Sequence, residues 1–131
     1  TMWHVLEHVH DLDGYAEKIK SALKASGKWV VAVPNYTSYD AEKYGSGWAA
    51  YDVPRHLYHF SPASMKALLE RHGFKLMGVK RMPFDSFYVS MLSERYRGGN
   101  LVRACWNGFC SYLAASRDPH RCSSLIYLIE K

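Results

Sequence analysis

Residues 28–33 read KWVVAV, an apolar run that stops at Pro34. Such a run is too short for a stable helix, and its continuous rather than alternating apolarity predicts a parallel strand covered on both faces. Upstream, Asp11–Gly27 reads as an amphipathic helix. Tyr15, Ile19, Ala22 and Leu23 return to one side, while Glu17, Lys18, Lys20 and Lys24 face water. Asp11 or Asp13 can cap its start and Gly27 can end it. Helix followed by strand is half of an α/β unit, and the pattern returns downstream. Ser61-Pro62 is a helix start, Met65, Leu68 and Leu69 form its stripe, and Gly73 stops it before a second strand at Phe74–Met82, FKLMGVKRM. A third strand, SSLIYLIEK from Ser123 to Lys131, is apolar enough to be central, which requires neighbours on both edges.

Two segments interrupt this alternation. Asn35–Phe60 has little helical or strand period but contains Tyr36, Tyr39, Tyr44, Trp48, Tyr51, Tyr58 and Phe60. Residues 34–60 are therefore expected to form a lid or substrate loop, or else a surface loop pinned by its aromatics. After Pro83, Asp85–Tyr96 reads as a helix with Tyr88, Met91, Leu92 and Arg95 along one side. Leu101–Ala115 reads as another, bearing Val102, Trp106, Phe109 and Leu113, although Gly108 weakens it. Residues 85–117 form a helical insertion whose apolar breadth suits a buried docking face, or a membrane surface with the nearby arginines.

The 131 residues suffice for one domain that buries about two-thirds of its extended surface. With 48% hydrophobic and 22% charged residues, the chain has the balance of a globular protein rather than a disordered tail. No window reaches the roughly 18 to 20 apolar residues of a membrane span, and no signal-peptide pattern opens the chain, so a cytoplasmic protein is expected. The net charge of +5 owes much to Arg95, Arg97, Arg103, Arg117 and Arg121, which are not interleaved with a nucleic-acid-binding module. Cys105, Cys110 and Cys122 lack paired CxxC spacing and read as buried free thiols.

The densest polar chemistry is WHVLEHV, Trp3–Val9. On one helical turn His4, Glu7 and His8 share a face. Glu7 and His8 can supply two ligands to a divalent metal, with His4, His56 or His59 of RHLYHF adding another, or they can cap and orient backbone beside a cofactor pocket. The zinc-protease pattern is excluded, because HVLEH has the glutamate directly before the second histidine rather than after the first. His4 also suits a general base, since imidazole titrates near neutrality. Asp52 and Arg55 suit a salt bridge holding the loop, or a substrate contact.

WHVLEHV, the VVAVPN strand exit, VPRHLYHF and the Gly-Phe opening the second strand together resemble class I S-adenosylmethionine-dependent methyltransferases, closest to the group with ubiquinone-type O-methyltransferases and many bacterial enzymes. The resemblance implies an α/β fold: the C-terminal portion of a Rossmann-like seven-stranded sheet. About four strands are expected, with an antiparallel last strand and an added helical pair. Thr1–Trp3 corresponds to the tail of the fourth strand, Lys28–Val33 to the fifth and Phe74–Met82 to the sixth. Ser123–Glu130 corresponds to the seventh, inserted between fifth and sixth. Residues 1–131 are then a single partial domain, and the family's Gly-rich loop and acidic ribose-binding residue have no counterpart among them.

The same resemblance implies that Trp3, His4 and Val5 approach the methionine part of S-adenosylmethionine, and that some relatives bind metal through residues matching Glu7, His8 and either His56 or His59. The pattern's first acidic ligand is His4 here. His4 and His59 are the expected proton acceptors, and Tyr36, Trp48, Tyr51 and Arg55 the expected substrate contacts. A small-molecule, glycan-linked or lipid-linked acceptor suits such a pocket, and the chain by itself is expected to be inactive. The other reading is a non-enzymatic interaction module or dimer that keeps the half-fold. Unpaired sheet edges make self-association an expectation of either.

Overall fold

In the computed structural model, which describes all residues 1–131, Lys28–Pro34 is strand β2 at the middle of a four-stranded sheet. The edge strand β1, Met2–Trp3, pairs with it in parallel, Met2 opposite Val31 and Trp3 opposite Ala32. On its other side β2 runs antiparallel to β4, Ser124–Glu130, and β4 runs antiparallel to β3, Lys75–Arg81. The spatial order β1-β2-β4-β3 is the one the resemblance implies, with the last strand inserted between its two predecessors. Gly78 weakens the alternation of β3 because a bulge displaces the register between Leu76 and Gly78.

One face of this sheet holds the core. Trp29, Val31 and Val33 of β2 lie opposite Ile129, Tyr127 and Leu125 of β4, and all six are buried. Helices α1, Leu12–Ala22, and α3, Pro62–Arg71, cover that face with Ala16, Met65, Leu68 and Leu69. Asp11 caps α1 through the Gly14 amide, and Ser61 with Ser64 forms a capping box on α3 ahead of Pro62. Helix α1 stops at Ala22, short of the expected Gly27. The Tyr127 hydroxyl has no partner in this core, and burial raises its pKa.

The opposite face meets the expectation of a strand covered on both sides only in its second half, where Ala32 and Pro34 are buried. Val30, Ile126 and Leu128 alternate onto it and are only half-buried.

Asn35, at the exit of β2, is 1% exposed and ties the carboxyl edge of the sheet together. Its amide donates to the carbonyls of His120 at 2.7 Å and Cys122 at 3.0 Å, while its oxygen accepts from the Thr37 amide and hydroxyl. The aperiodic stretch 34–60 is not a free loop. It contains helix α2, Tyr39–Tyr44, and 3-10 turns at Gly45–Gly47 and Ala49–Tyr51. Ala41, Tyr44, Trp48 and Ala49 form a second small core against Val89 of α4, Asp85–Tyr96.

Helix α5, Leu101–Arg117, packs on α4 and buries only small residues, Ala104, Gly108, Ser111 and Ala115. Gly108 is there because a Cβ would lie 2.8 Å from the Phe87 ring and 3.0 Å from the Phe87 Cα. The three cysteines are free, as the sequence suggests, but only Cys122 is buried and Cys105 is exposed.

Candidate active site

The carboxyl ends of β1, β2 and β3 and the start of β4 meet at one edge of the sheet, where open α/β sheets place their ligands. A cavity of about 240 Å³ opens there. His4 lines it from the end of β1 and Pro34 from β2, while Ala49, Ala50, Asp52, Arg55 and His56 come from the 35–60 segment. Helix α4 supplies the remaining wall with Asp85, Tyr88, Val89, Leu92 and Tyr96.

His4 owes its place to a backbone turn that L-residues rarely adopt, with φ at 51°. Its amide still donates to Ala32 O at 2.9 Å, so the residue is held to β2 while the chain turns away. Glu7 follows in a short 3-10 turn, Leu6–His8, in place of the expected α-helical turn. His4 and Glu7 still meet, with His4 Nδ1 3.2 Å from Glu7 Oε1. The hydrogen bond that His4 donates to Glu7 raises the His4 pKa, burial opposes the rise, and the nearby charge of Asp85 adds to it. With Nδ1 on Glu7, Nε2 is the ring nitrogen left for a ligand.

Asp85, the first residue of α4, sits across the cavity and accepts from the Ser124 hydroxyl. Burial raises its pKa, with the Ser124 bond and the His4 charge acting the other way. Asp85 is absent from the sequence-derived site, although an acidic residue a few positions beyond a strand's carboxyl end was the available signal. Asp40 left no such signal. It resembles an ordinary first-turn acid behind the Ser38 cap, yet it is wholly buried. Its carboxylate accepts from Trp48 Nε1 at 2.7 Å, Ser111 Oγ at 2.9 Å and Ser123 Oγ at 2.6 Å. Those bonds tie the cavity wall to α5 and to the entry of β4.

Glu7, His8 and His56 bring ligand atoms within 4.8 Å of one another. His8 Nδ1 is 3.0 Å from Arg55 O and His56 Nδ1 2.9 Å from Ala50 O. Both rings therefore present Nε2, the arrangement that backbone carbonyls impose on metal-binding histidines. The second oxygen of Glu7 is buried without a partner, and Asp52 Oδ2 lies 3.9 Å from His56 Nε2.

The other expected contacts disperse. His59 leaves both this cluster and the cavity: its Nε2 is 3.0 Å from Tyr51 O, and it borders a separate surface depression beside Tyr58 and Phe60. Trp48 is 2% exposed and stacks edge-on with Tyr51, so both brace the wall from outside the cavity lining. Tyr36 is exposed and is absent from that lining. Arg55 does line the cavity and makes the expected bridge to Asp52 at 2.7 Å. Trp3 and Val5 flank His4 with 52% and 42% of their surface open.

Several known proteins are similar to this chain. The crystal structure of the [4+2]-cyclase SpnF superposes with a TM-score of 0.58 at 15% identity, covering 99% of this chain and 47% of that one. At this identity the likeness is one of fold, and the chain spans about half the length of the solved structure it matches. Phosphoethanolamine N-methyltransferase 2 of Haemonchus contortus, solved with S-adenosyl-L-methionine, gives a TM-score of 0.48 at 13% identity, over 98% of this chain and 31% of that one. No curated protein matches. The sequence profile described as "Methyltransferase domain" matches residues 1–78, more than half of the chain. The chain belongs to that methyltransferase domain family.

Proposed function

We propose that this chain is the C-terminal, acceptor-facing half of an S-adenosylmethionine-dependent methyltransferase, and that the His4 cavity receives the methyl acceptor. The observation that carries the reading is the sheet edge itself. A buried glutamate orients a histidine beside a cavity of about 240 Å³, at the carboxyl ends of strands in the order the resemblance implies. The half-buried stretch of the second face of the sheet, Val30, Ile126 and Leu128, supports a further layer being contributed by other residues of the same domain.

Trp3 and Val5 offer uncovered apolar surface beside His4, which fits the methionine end of the cofactor. When bound, S-adenosylmethionine supplies an electrophilic methyl group on a sulfonium. The chain's own residues orient the acceptor and handle its proton. Tyr88, Leu92 and Tyr96 on one side and Ala49, Ala50 and Arg55 on the other confine the acceptor, so that its nucleophilic atom is held rather than free to tumble. His4 Nε2 accepts the proton that the nucleophile loses, and Glu7 stabilises the resulting imidazolium through Nδ1. His59 has no part in this scheme, and residues 34–60 serve as the acceptor-side wall.

The Glu7, His8 and His56 set fits a divalent cation, because a buried carboxylate oxygen lacks a partner and two imidazoles have free Nε2 atoms. These three residues would hold the ion, which would supply a Lewis acid beside the cavity that His56 lines.

The test is a methyl-transfer assay on the whole protein against small hydroxyl and amine acceptors, comparing wild type with His4→Asn. The reading expects kcat to fall about 10²- to 10⁴-fold with S-adenosylmethionine affinity little changed. Unchanged kcat removes His4 from the chemistry.

A further inference from the structure

Helix α5 is folded with its apolar side outward. The buried positions are Ala104, Gly108, Ser111 and Ala115, which fall on one face at helical spacing. The opposite face presents Val102, Trp106, Phe109 and Leu113, with exposures of 79%, 66%, 45% and 43%. Water-facing surface helices normally show the reverse.

Charge indicates what covers this face. From Arg95 to Arg117 the chain has four arginines and no Asp or Glu. All four are exposed, and none takes part in the arginine ion pairs, which use Arg55, Arg71 and Arg121. Arg103 borders Val102 and Trp106, so a second copy seated two-fold on this face would bring that cation against its own like. An anionic partner neutralises these cations.

A groove of about 360 Å³ beside α5 combines both chemistries, with Lys43 and Arg103 next to Tyr39, Val102 and Trp106. Two cations at the rim of an apolar aromatic surface match a phosphate headgroup above acyl chains. No helix is long and apolar enough to cross a membrane. We propose that α5 is an interfacial anchor that docks this protein on anionic phospholipid membranes, with Trp106 and Phe109 entering the headgroup boundary while Lys43 and Arg103 hold lipid phosphate.

Vesicle flotation tests this with phosphatidylcholine vesicles, alone or mixed with phosphatidylglycerol. Binding is expected on the mixed vesicles, weakened by salt, with a blue shift in tryptophan fluorescence that Trp106→Phe largely removes. Trp106→Ser with Phe109→Ser should weaken partitioning roughly tenfold or more, and Lys43→Glu with Arg103→Glu should do the same on anionic vesicles only. Because all four positions are exposed, circular dichroism should show both variants folded. The proposal is overturned by failure to bind the mixed vesicles, by binding that neither variant changes, or by solution binding of inorganic phosphate without vesicle binding. A dimer that forms through this face and dissociates in the Trp106→Ser, Phe109→Ser variant also overturns it.

Discussion

His4 and Glu7 form a pair of opposite burial: the glutamate is 1% exposed, while the histidine 3.2 Å away borders the cavity. The pair is worth most when His4 is protonated, since its folded-state pKa is raised above the unfolded value of about 6.5. The stabilisation is therefore complete below that value and is lost as pH rises through the folded pKa. In chelator-treated buffer, His4→Gln should cost about 1 kcal/mol by urea unfolding at acidic pH and clearly less above neutrality. An equal cost at both ends of that range contradicts the pairing.

Asp40 should matter more for stability than any residue of the cavity lining. Asp40→Ala leaves the Trp48 indole N–H and two serine hydroxyls buried without their acceptor, for a loss of about 3 kcal/mol. Denaturant titration followed by tryptophan fluorescence measures it directly. A loss near zero means that these donors find other partners.

Gly108 separates packing from propensity. In an isolated helix, Gly→Ala gains about 1 kcal/mol. Here the new Cβ meets Phe87 backbone as well as its ring, so Gly108→Ala should destabilise by about 1 to 3 kcal/mol. A rise in Tm shows that α4 and α5 can part without cost.

Metal binding has its own readout. Titration of Mn²⁺ or Zn²⁺ into the protein should show one site, and His56→Ala should weaken it at least about tenfold. His59→Ala should leave it unchanged, because His59 lies apart from the Glu7, His8 and His56 group. Equal losses from both variants count against this ligand set.

The legible parts of the sequence were those whose signals are local. KWVVAV declared a buried strand, and Ser61-Pro62 declared a capped helix. The order of the four strands came through the resemblance of WHVLEHV and its companions, not through periodicity. Helix α2 was missed because its six residues are too few to show a period, and its position depends on Asp40 reaching Ser111 and Ser123 far along the chain. The four apolar residues of α5 were visible in the sequence, but an amphipathic pattern does not say which side faces the protein. The small residues that decided it, Gly108 above all, looked like a flaw in the helix.

The most direct test of the central claim is S-adenosylmethionine binding by calorimetry, measured for residues 1–131 and for a whole protein that includes the Gly-rich half of the domain. The account predicts no micromolar binding to the 131 residues alone and micromolar binding to the whole protein. Micromolar binding to the 131 residues would contradict a divided cofactor site, and no binding to the whole protein would contradict the methyltransferase reading itself.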